Sequence, residues 1–91
     1  MPAVSFRVPR MLEPYCGGRT FEVEADTVRA ALDAAMRLHP LLRTHLEDEE
    51  GRLRPHVNVF HNDTEVRRLP SLEEPVREGD QIVVLQAISG G

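Results

Sequence analysis

The stretch that decides the fold is "GDQIVVLQAISGG", residues 79–91. A Gly-Asp turn signal precedes residues 81–86, in which four apolar side chains follow one another without a polar break. A short apolar run bounded by a turn signal predicts a strand that is buried on both faces, and such strands are usually central in a sheet. The Gly-Gly pair behind this strand raises the question of what it does there.

Four other segments predict strands that could pair with the last one or with each other. Residues 4–8 and 20–24 alternate apolar and polar side chains, which predicts a hairpin with a long loop. Residues 56–60 predict a third strand, and residues 64–69 predict a short fourth strand after a turn at Asn62-Asp63.

A helix is predicted between the second and third strands. Asp26 or Thr27 is a candidate N-cap, and residues 28–39 have helical periodicity. Pro40 ends this helix or begins a second, short helical segment. The predicted apolar face of the main helix consists of Val28, Ala31, Leu32, Ala35 and Leu38.

The order of these elements indicates an α+β fold of the β-grasp (ubiquitin-like) type. In this arrangement a mixed sheet of four to five strands holds one main helix, with the first and last strands adjacent and parallel. The chain of 91 residues suffices for one core, and we expect a single domain over residues 1–91 with a flexible C-terminal Gly-Gly tail at residues 86–91.

Composition excludes several classes of function. The net charge is -4 and the basic residues form no block, which argues against binding to nucleic acid. No apolar run is long enough to span a membrane, and the N-terminus lacks the pattern of a signal peptide, so the expected location is the cytoplasm. All eleven basic residues are arginine, so the chain has no side-chain ammonium group.

Neither the histidines nor the cysteine forms a recognisable site. His39 and His45 are six residues apart, and His56 and His61 are five apart, which is not the close spacing of zinc ligands. Cys16 is a single cysteine near two glycines and is interpreted as an ordinary loop residue. We therefore expect no metal site and no catalytic residue.

The last third of the chain resembles the ubiquitin-like sulfur carriers, in "RPHVNVFHND" (residues 54–63) and "GDQIVVLQAISGG". These include the small subunit of molybdopterin synthase, the thiamine sulfur carrier and the carrier of a cysteine-biosynthesis route. The acidic loop at residues 47–50 and the length resemble the cysteine-route and molybdopterin carriers more than the shorter thiamine carrier, and the cysteine-route carrier is the first choice. The most specific feature of the resemblance is Gly90-Gly91, which comes directly after an apolar strand that a Gly-Asp turn precedes.

The resemblance implies a carrier rather than an enzyme, with the Gly91 carboxylate as its reactive group. A partner of the ubiquitin-activating type would adenylate Gly91 with ATP and magnesium, and a sulfur donor would displace AMP to leave a thiocarboxylate. Ser89 and Gly90 would form the tail that enters the partner, and the chain itself would bind no cofactor. The other implied partners are a sulfur-accepting synthase, for which a PLP-dependent enzyme is one candidate, and a metallopeptidase that trims the tail.

Strand alternation predicts where such partners dock. If Ile82 and Val84 face the helix, Val83 and Leu85 face outward, and Phe60 is out of phase with the inward residues of its own strand. An exposed apolar patch of Phe60, Val83 and Leu85 beside the tail is a predicted partner surface. Packing under a loop or in a homodimer is the alternative interpretation.

Three functions therefore stay open. The first is a sulfur carrier for the biosynthesis of cysteine or another sulfur-containing metabolite, with the molybdopterin synthase small subunit as a variant. The second is a ubiquitin-like binding module that acts through its sheet alone. The third is a protein modifier whose Gly91 is joined to amines.

Overall fold

The computed structural model of the chain describes residues 1–86, which form one five-stranded sheet in the order β2-β1-β5-β3-β4. The last strand lies in the centre, parallel to β1 and antiparallel to β3. The prediction of a central last strand beside a parallel first strand is confirmed. The strands are β1 (Ala3–Arg7), β2 (Thr20–Glu24), β3 (Val57–His61), β4 (Thr64–Glu65) and β5 (Gln81–Gln86).

Within residues 1–86, three α-helices accompany the sheet: α1 (Glu13–Cys16), α2 (Val28–Leu38) and α3 (Pro40–Leu46). The main helix, α2, begins after Thr27, whose side-chain oxygen accepts a hydrogen bond from the backbone N–H of Ala30 at 3.1 Å. Thr27 is therefore the N-cap, and Asp26 is not. Pro40 opens α3 at a position where its missing N–H costs nothing. A mixed sheet that holds one main helix is the β-grasp fold, as predicted.

The core lies between the sheet and α2, and alternation along the strands builds it. Ile82 and Val84 of β5 are almost fully buried, and Val84 stands opposite Val59 of β3. Phe6 of β1 stands opposite Phe21 of β2, with the two rings stacked at a centroid distance of 5.1 Å. Burial of these side chains supplies most of the driving force for folding.

The predicted apolar face of α2 is wrong at one position. Leu38 is 54% exposed, whereas Met36 is 3% exposed and belongs to the core. At 100° per residue the two side chains lie about 80° to either side of the centre of the face. The surrounding elements cover only the edge that carries Met36.

Two connections differ from the prediction. The loop after β1 contains a 3-10 turn at Arg10–Leu12 and then α1, which bury Leu12 and Cys16 under the core. The predicted fourth strand ends at Glu65, because Val66–Arg68 turns into a 3-10 helix that buries Val66. Apolar residues in both segments contribute to the core without alternation, so their conformation was not readable from a strand pattern.

The predicted boundary of the tail is wrong by one residue. Gln86 belongs to β5, where it stands opposite Val57 of β3, so a tail can begin no earlier than residue 87. Residues 87–91 lie outside the described part of the chain.

Within residues 1–86, no helix has the length and apolar character that crossing a bilayer requires.

Alternation along β5 predicts opposite outcomes for two of its residues. Ile82→Ala should lower the free energy of unfolding by about 2–5 kcal/mol, because it removes a fully buried side chain from a packed core. Leu85→Ala on the same strand should cost less than about 1 kcal/mol, since Leu85 is 47% exposed. Urea unfolding of both variants measures the difference, and equal losses would contradict the assignment of faces.

Candidate functional site

The outward face of the central strands carries an apolar patch that ends where β5 ends. Val83 stands directly opposite Phe60 of β3, and both are partly exposed. Leu85 stands opposite Asn58, one pair further along the same face. The structure thus places the predicted residues Phe60, Val83 and Leu85 on one side of the sheet, opposite the side that packs on α2.

A polar corner borders this patch at the end of β5. One Nη nitrogen of Arg67 lies 3.5 Å from Oδ1 of Asn58, and the other donates a 2.7 Å hydrogen bond to the backbone carbonyl of Arg54. The guanidinium also forms a loose ion pair with Glu65 at 3.5 Å. Arg67 therefore fixes the segment before β3 next to the point where the chain leaves β5. No role for Arg67 was predicted, because its contacts with Asn58 and Arg54 join residues that are 9 and 13 positions apart.

The opposite end of β5 is fastened by a cluster that we call the clasp, consisting of His61, Asn62, Asp80 and Gln81. Nε2 of His61 lies 2.8 Å from Oδ2 of Asp80, and since a carboxylate only accepts, the ring N–H donates. The same oxygen accepts the backbone N–H of Arg77 at 2.9 Å. Asn62 and Gln81 exchange two hydrogen bonds of 2.8 and 2.9 Å.

The clasp stabilises the ionised form of its acid. The hydrogen bond from His61, and then the one from the backbone of Arg77, lower the pKa of Asp80. Gly79 makes the preceding turn possible, because its φ of 86° lies in the region that other residues avoid. The Gly-Asp pair that the sequence marked as a family feature is thus a structural fastening. Its histidine partner lies 19 residues away, so no local motif predicts the contact.

The candidate residues of the tail, Ser89, Gly90 and Gly91, lie outside the described residues, and their role stays a prediction. What the structure does show is the strand that leads to them. β5 runs between β1 and β3 and delivers the chain beside the apolar patch and the Arg67 corner.

The remaining candidates do not assemble into a site. Cys16 is 4% exposed, and burial raises the pKa of its thiol, so the reactive thiolate is disfavoured. Across the described ranges, no three His, Cys, Asp or Glu side chains come close enough together to hold a metal ion. His39 packs edge-on against Phe21 and His45 packs against Tyr15, so these two rings fill space between elements.

Comparison with known proteins places this geometry in a family. The sequence matches the ThiS family over residues 15–91. The chain belongs to the ThiS family. Ubiquitin-like sulfur carriers, the family expected from the C-terminal third, are therefore confirmed as its relatives.

Two curated relatives and one solved structure illustrate the range of the family. Small archaeal modifier protein 1 of Haloferax volcanii is 34% identical over 83 residues, covering 88% of this chain and 91% of that protein. Sulfur carrier protein CysO of Mycobacterium tuberculosis is 29% identical over 91 residues, covering 97% and 98%. A chain in the crystal structure of the Amycolatopsis orientalis BexX/CysO complex superposes with a TM-score of 0.83 at 32% identity, covering 97% and 99%. These relatives are small carrier or modifier proteins by name.

The clasp predicts a pH-dependent contribution to stability. Asp80→Asn should lower the free energy of unfolding at pH 7 by about 1–3 kcal/mol, because it removes the charge from the hydrogen bonds of His61 and Arg77. Because the pKa of Asp80 is depressed by folding, its contribution is present above the unfolded pKa of about 4 and is lost as the pH falls through the folded value.

Denaturant unfolding between about pH 7 and pH 2 measures this effect. The difference in the free energy of unfolding between the native chain and Asp80→Asn should become smaller as the pH falls. The control is Asp63→Asn, an exposed carboxylate in the turn after β3, which should leave the profile unchanged. A gap that stays constant down to the lowest pH would show that the Asp80 charge is not responsible.

Proposed function

We propose that the chain is a sulfur carrier that works through the carboxylate of Gly91. The observation that carries the proposal is membership of the ThiS family through residue 91, together with a central strand that leads directly to the Gly-Gly end. The protein named sulfur carrier in M. tuberculosis aligns over 97% of this chain and supports the same assignment. On this proposal the chain is a substrate of its partners and not a catalyst.

The chemistry explains why a partner enzyme is needed. A carboxylate is a poor electrophile, so the Gly91 oxygen first attacks the α-phosphorus of ATP, and pyrophosphate leaves to give an acyl-adenylate. Hydrosulfide then attacks the acyl carbon, the bond to AMP breaks, and a thiocarboxylate remains. Splitting one difficult substitution into two easier ones is the logic of covalent catalysis. ATP and magnesium belong to the adenylating partner in this scheme.

Glycine at the last two positions suits entry into a partner's active site. Gly90 has no Cβ, so backbone angles that are barred to other residues are accessible to it, and no side chain would shield the neighbouring carbonyl from attack. Residues 87–91 in an extended form reach at most about 17 Å beyond β5. This length lets the body of the protein remain docked on the partner's surface while the carboxylate reacts inside.

A second candidate function is a protein modifier, in which the activated Gly91 acylates amines of other proteins. The 34% identity to small archaeal modifier protein 1 favours it. The two functions share the adenylate and differ only in the nucleophile. Because this chain has no lysine, a modifier of this sequence could not be extended into chains through its own side-chain amines.

The carrier proposal predicts a change of mass at the C-terminus. The chain, incubated with the adenylating enzyme of the same organism, ATP, magnesium and sulfide, should gain the mass difference between one sulfur and one oxygen. Intact-protein mass spectrometry measures the gain, and fragmentation should place it on Gly91. A chain that lacks Gly91 is the matched control and should gain nothing.

The outcomes separate the two functions. No mass change with an adenylating enzyme that demonstrably forms AMP would contradict the carrier proposal. Conjugates that appear on added amine-bearing proteins, in place of a thiocarboxylate, would favour the modifier. A variant lacking Gly91 should retain the native unfolding transition, since the described core lies within residues 1–86.

The outward patch predicts which surface the adenylating enzyme contacts. Leu85→Glu should reduce the rate of thiocarboxylate formation at limiting enzyme by about tenfold or more, because it places an unpaired charge in an apolar contact. The matched control is Leu41→Glu on α3, where a leucine is 59% exposed away from the sheet face. Equal effects of the two substitutions would rule out the patch as the docking surface.

A further inference from the structure

A groove of about 320 Å³ lies on the other side of the Arg67 corner from the apolar patch. It is bounded by α2, by the loop between α3 and β3, and by the 3-10 turn after β4. The size is at the lower end of protein cavities that bind ligands. The residues around it are Arg29, Leu32, Glu47, Gly51, Arg52, Leu53, Val66, Arg67 and Leu72.

The floor of the groove is apolar. Leu32 and Val66 are each 2% exposed and belong to the core, and Leu53 and Leu72 are partly buried against it. An inorganic anion or a sugar would gain little binding free energy from contact with such an apolar floor. It favours an aliphatic side chain, whose burial against the leucines removes apolar surface from water.

The rim of the groove carries three arginines from three different elements: Arg29 on α2, Arg52 in the loop, and Arg67 on the 3-10 turn. The acid among them, Glu47, points inward with its side chain 11% exposed and lies 3.8 Å from Arg29. Arg29 also pairs with Asp33 at 3.9 Å and Arg67 with Glu65 at 3.5 Å, so within residues 1–86 the unpaired positive charge of the rim comes from Arg52, on a chain whose net charge is -4. An acidic ligand would be repelled by the chain as a whole and attracted at this place.

Among the three arginines of the groove, Arg52 has the most unused hydrogen-bonding capacity. Oδ1 of Asp48 accepts the backbone N–H groups of Glu50 and Arg52 at 2.9 and 3.0 Å, which fixes the loop and lowers the pKa of Asp48, with the Arg52 bond as the main cause. The guanidinium of Arg52 itself donates to no acceptor and pairs with no acid within residues 1–86. A fixed loop that displays such a group on a groove is a preorganised point for a carboxylate.

The groove is continuous with the surface at the end of β5. Arg67 lines the groove and also lies 3.5 Å from Asn58, which stands opposite Leu85. A partner that covers Leu85 therefore needs only a short segment to pass over Arg67 and reach the groove. That segment would then hold the chain on the side from which residues 87–91 depart.

We propose that this groove binds an acidic peptide segment of a partner protein, with an aliphatic side chain on the leucine floor and flanking carboxylates on Arg52 and Arg67. The assignment of that partner to the enzymes that act on Gly91 rests on the proposed function. The groove itself does not, because its floor and rim are complementary to such a peptide whatever happens at the tail.

The proposal is tested by titrating the full chain with a peptide of alternating leucine and glutamate whose two ends are blocked. The backbone amide resonances of the chain report the binding. The amides of Leu53, Val66 and Leu72 should shift, with a dissociation constant that rises with salt. Arg52→Glu should weaken binding by about fivefold or more, and Arg52→Gln by less. The matched control, Arg19→Glu, reverses an exposed arginine outside the groove and should bind as the native chain does.

Three results would overturn the proposal. The first is shifts confined to the outward sheet face. The second is an equal loss for Arg52→Glu and Arg19→Glu, which would mean that only net charge matters. The third is a chain lacking residues 87–91 whose groove amides already differ from those of the native chain, which would show that the protein's own end occupies the groove. Unfolding midpoints of both charge-reversal variants within a few degrees of the native value exclude misfolding as the cause.

The peptide titration contains no enzyme, ATP or sulfide, so it fails independently of the mass measurement at Gly91. Peptide binding without thiocarboxylate formation would leave the groove in place and remove the sulfur-carrier function. Thiocarboxylate formation without peptide binding would support the sulfur-carrier function and contradict the proposed peptide site. If the peptide binds and the thiocarboxylate forms, Arg52→Glu should also slow thiocarboxylate formation at limiting enzyme. An unchanged rate would show that the groove does not bind that enzyme.

Discussion

The register of β5 is the constraint on which the other features depend. The strand is held at its start by the clasp and by the backbone N–H of Ser5, which donates to the carbonyl of Asp80 at 2.9 Å. A shift of one residue would turn Ile82 and Val84 outward and bring Val83 and Leu85 under α2. The same hydrogen bonds that fasten the start of β5 therefore decide which side chains surround the place where the chain leaves the sheet.

Fastening and function are separated along this strand. The side chain of Asp80, just before the strand, and the backbone of Gln81 bind to the turns on either side, and the middle of the strand carries the core. Its last residues face a surface that is apolar at Leu85 and basic at Arg67. A partner can therefore bind at one end of β5 without disturbing the bonds that stabilise the fold at the other end.

The parts of the structure that follow a short-range pattern could be predicted from the sequence. The four apolar residues in β5 indicated a central strand, and the alternation around Phe6 and Phe21 indicated the hairpin. Element order then indicated the β-grasp. The apolar face of α2 was predicted correctly up to the last turn of the helix. There Met36 is buried and Leu38 is exposed, which depends on the elements that pack beside the helix.

The polar contacts of the clasp and of the Arg67 corner could not be predicted, because most of them join residues that are distant in sequence. His61 and Asp80 meet only after β3 and β5 pair, and Arg67 reaches Arg54 across 13 residues. The groove depends on three separate segments, so no motif announces it. Periodicity reports which face of one element is buried, but it carries no information on which side chains of different elements come together.

The central position of β5 also determines how the domain responds to force on its end. A pull on residue 86 along the strand loads the ladders with β1 and β3 in shear, so that many hydrogen bonds share the force at once. An edge strand under a pull across the sheet would instead lose its bonds one after another. Because forced unfolding is governed by the barrier and not by equilibrium stability, the response to such a pull depends on how the two ladders share the load and not only on the size of the core. A pull on the C-terminal end of β5 is thus resisted by two ladders together at the centre of the sheet.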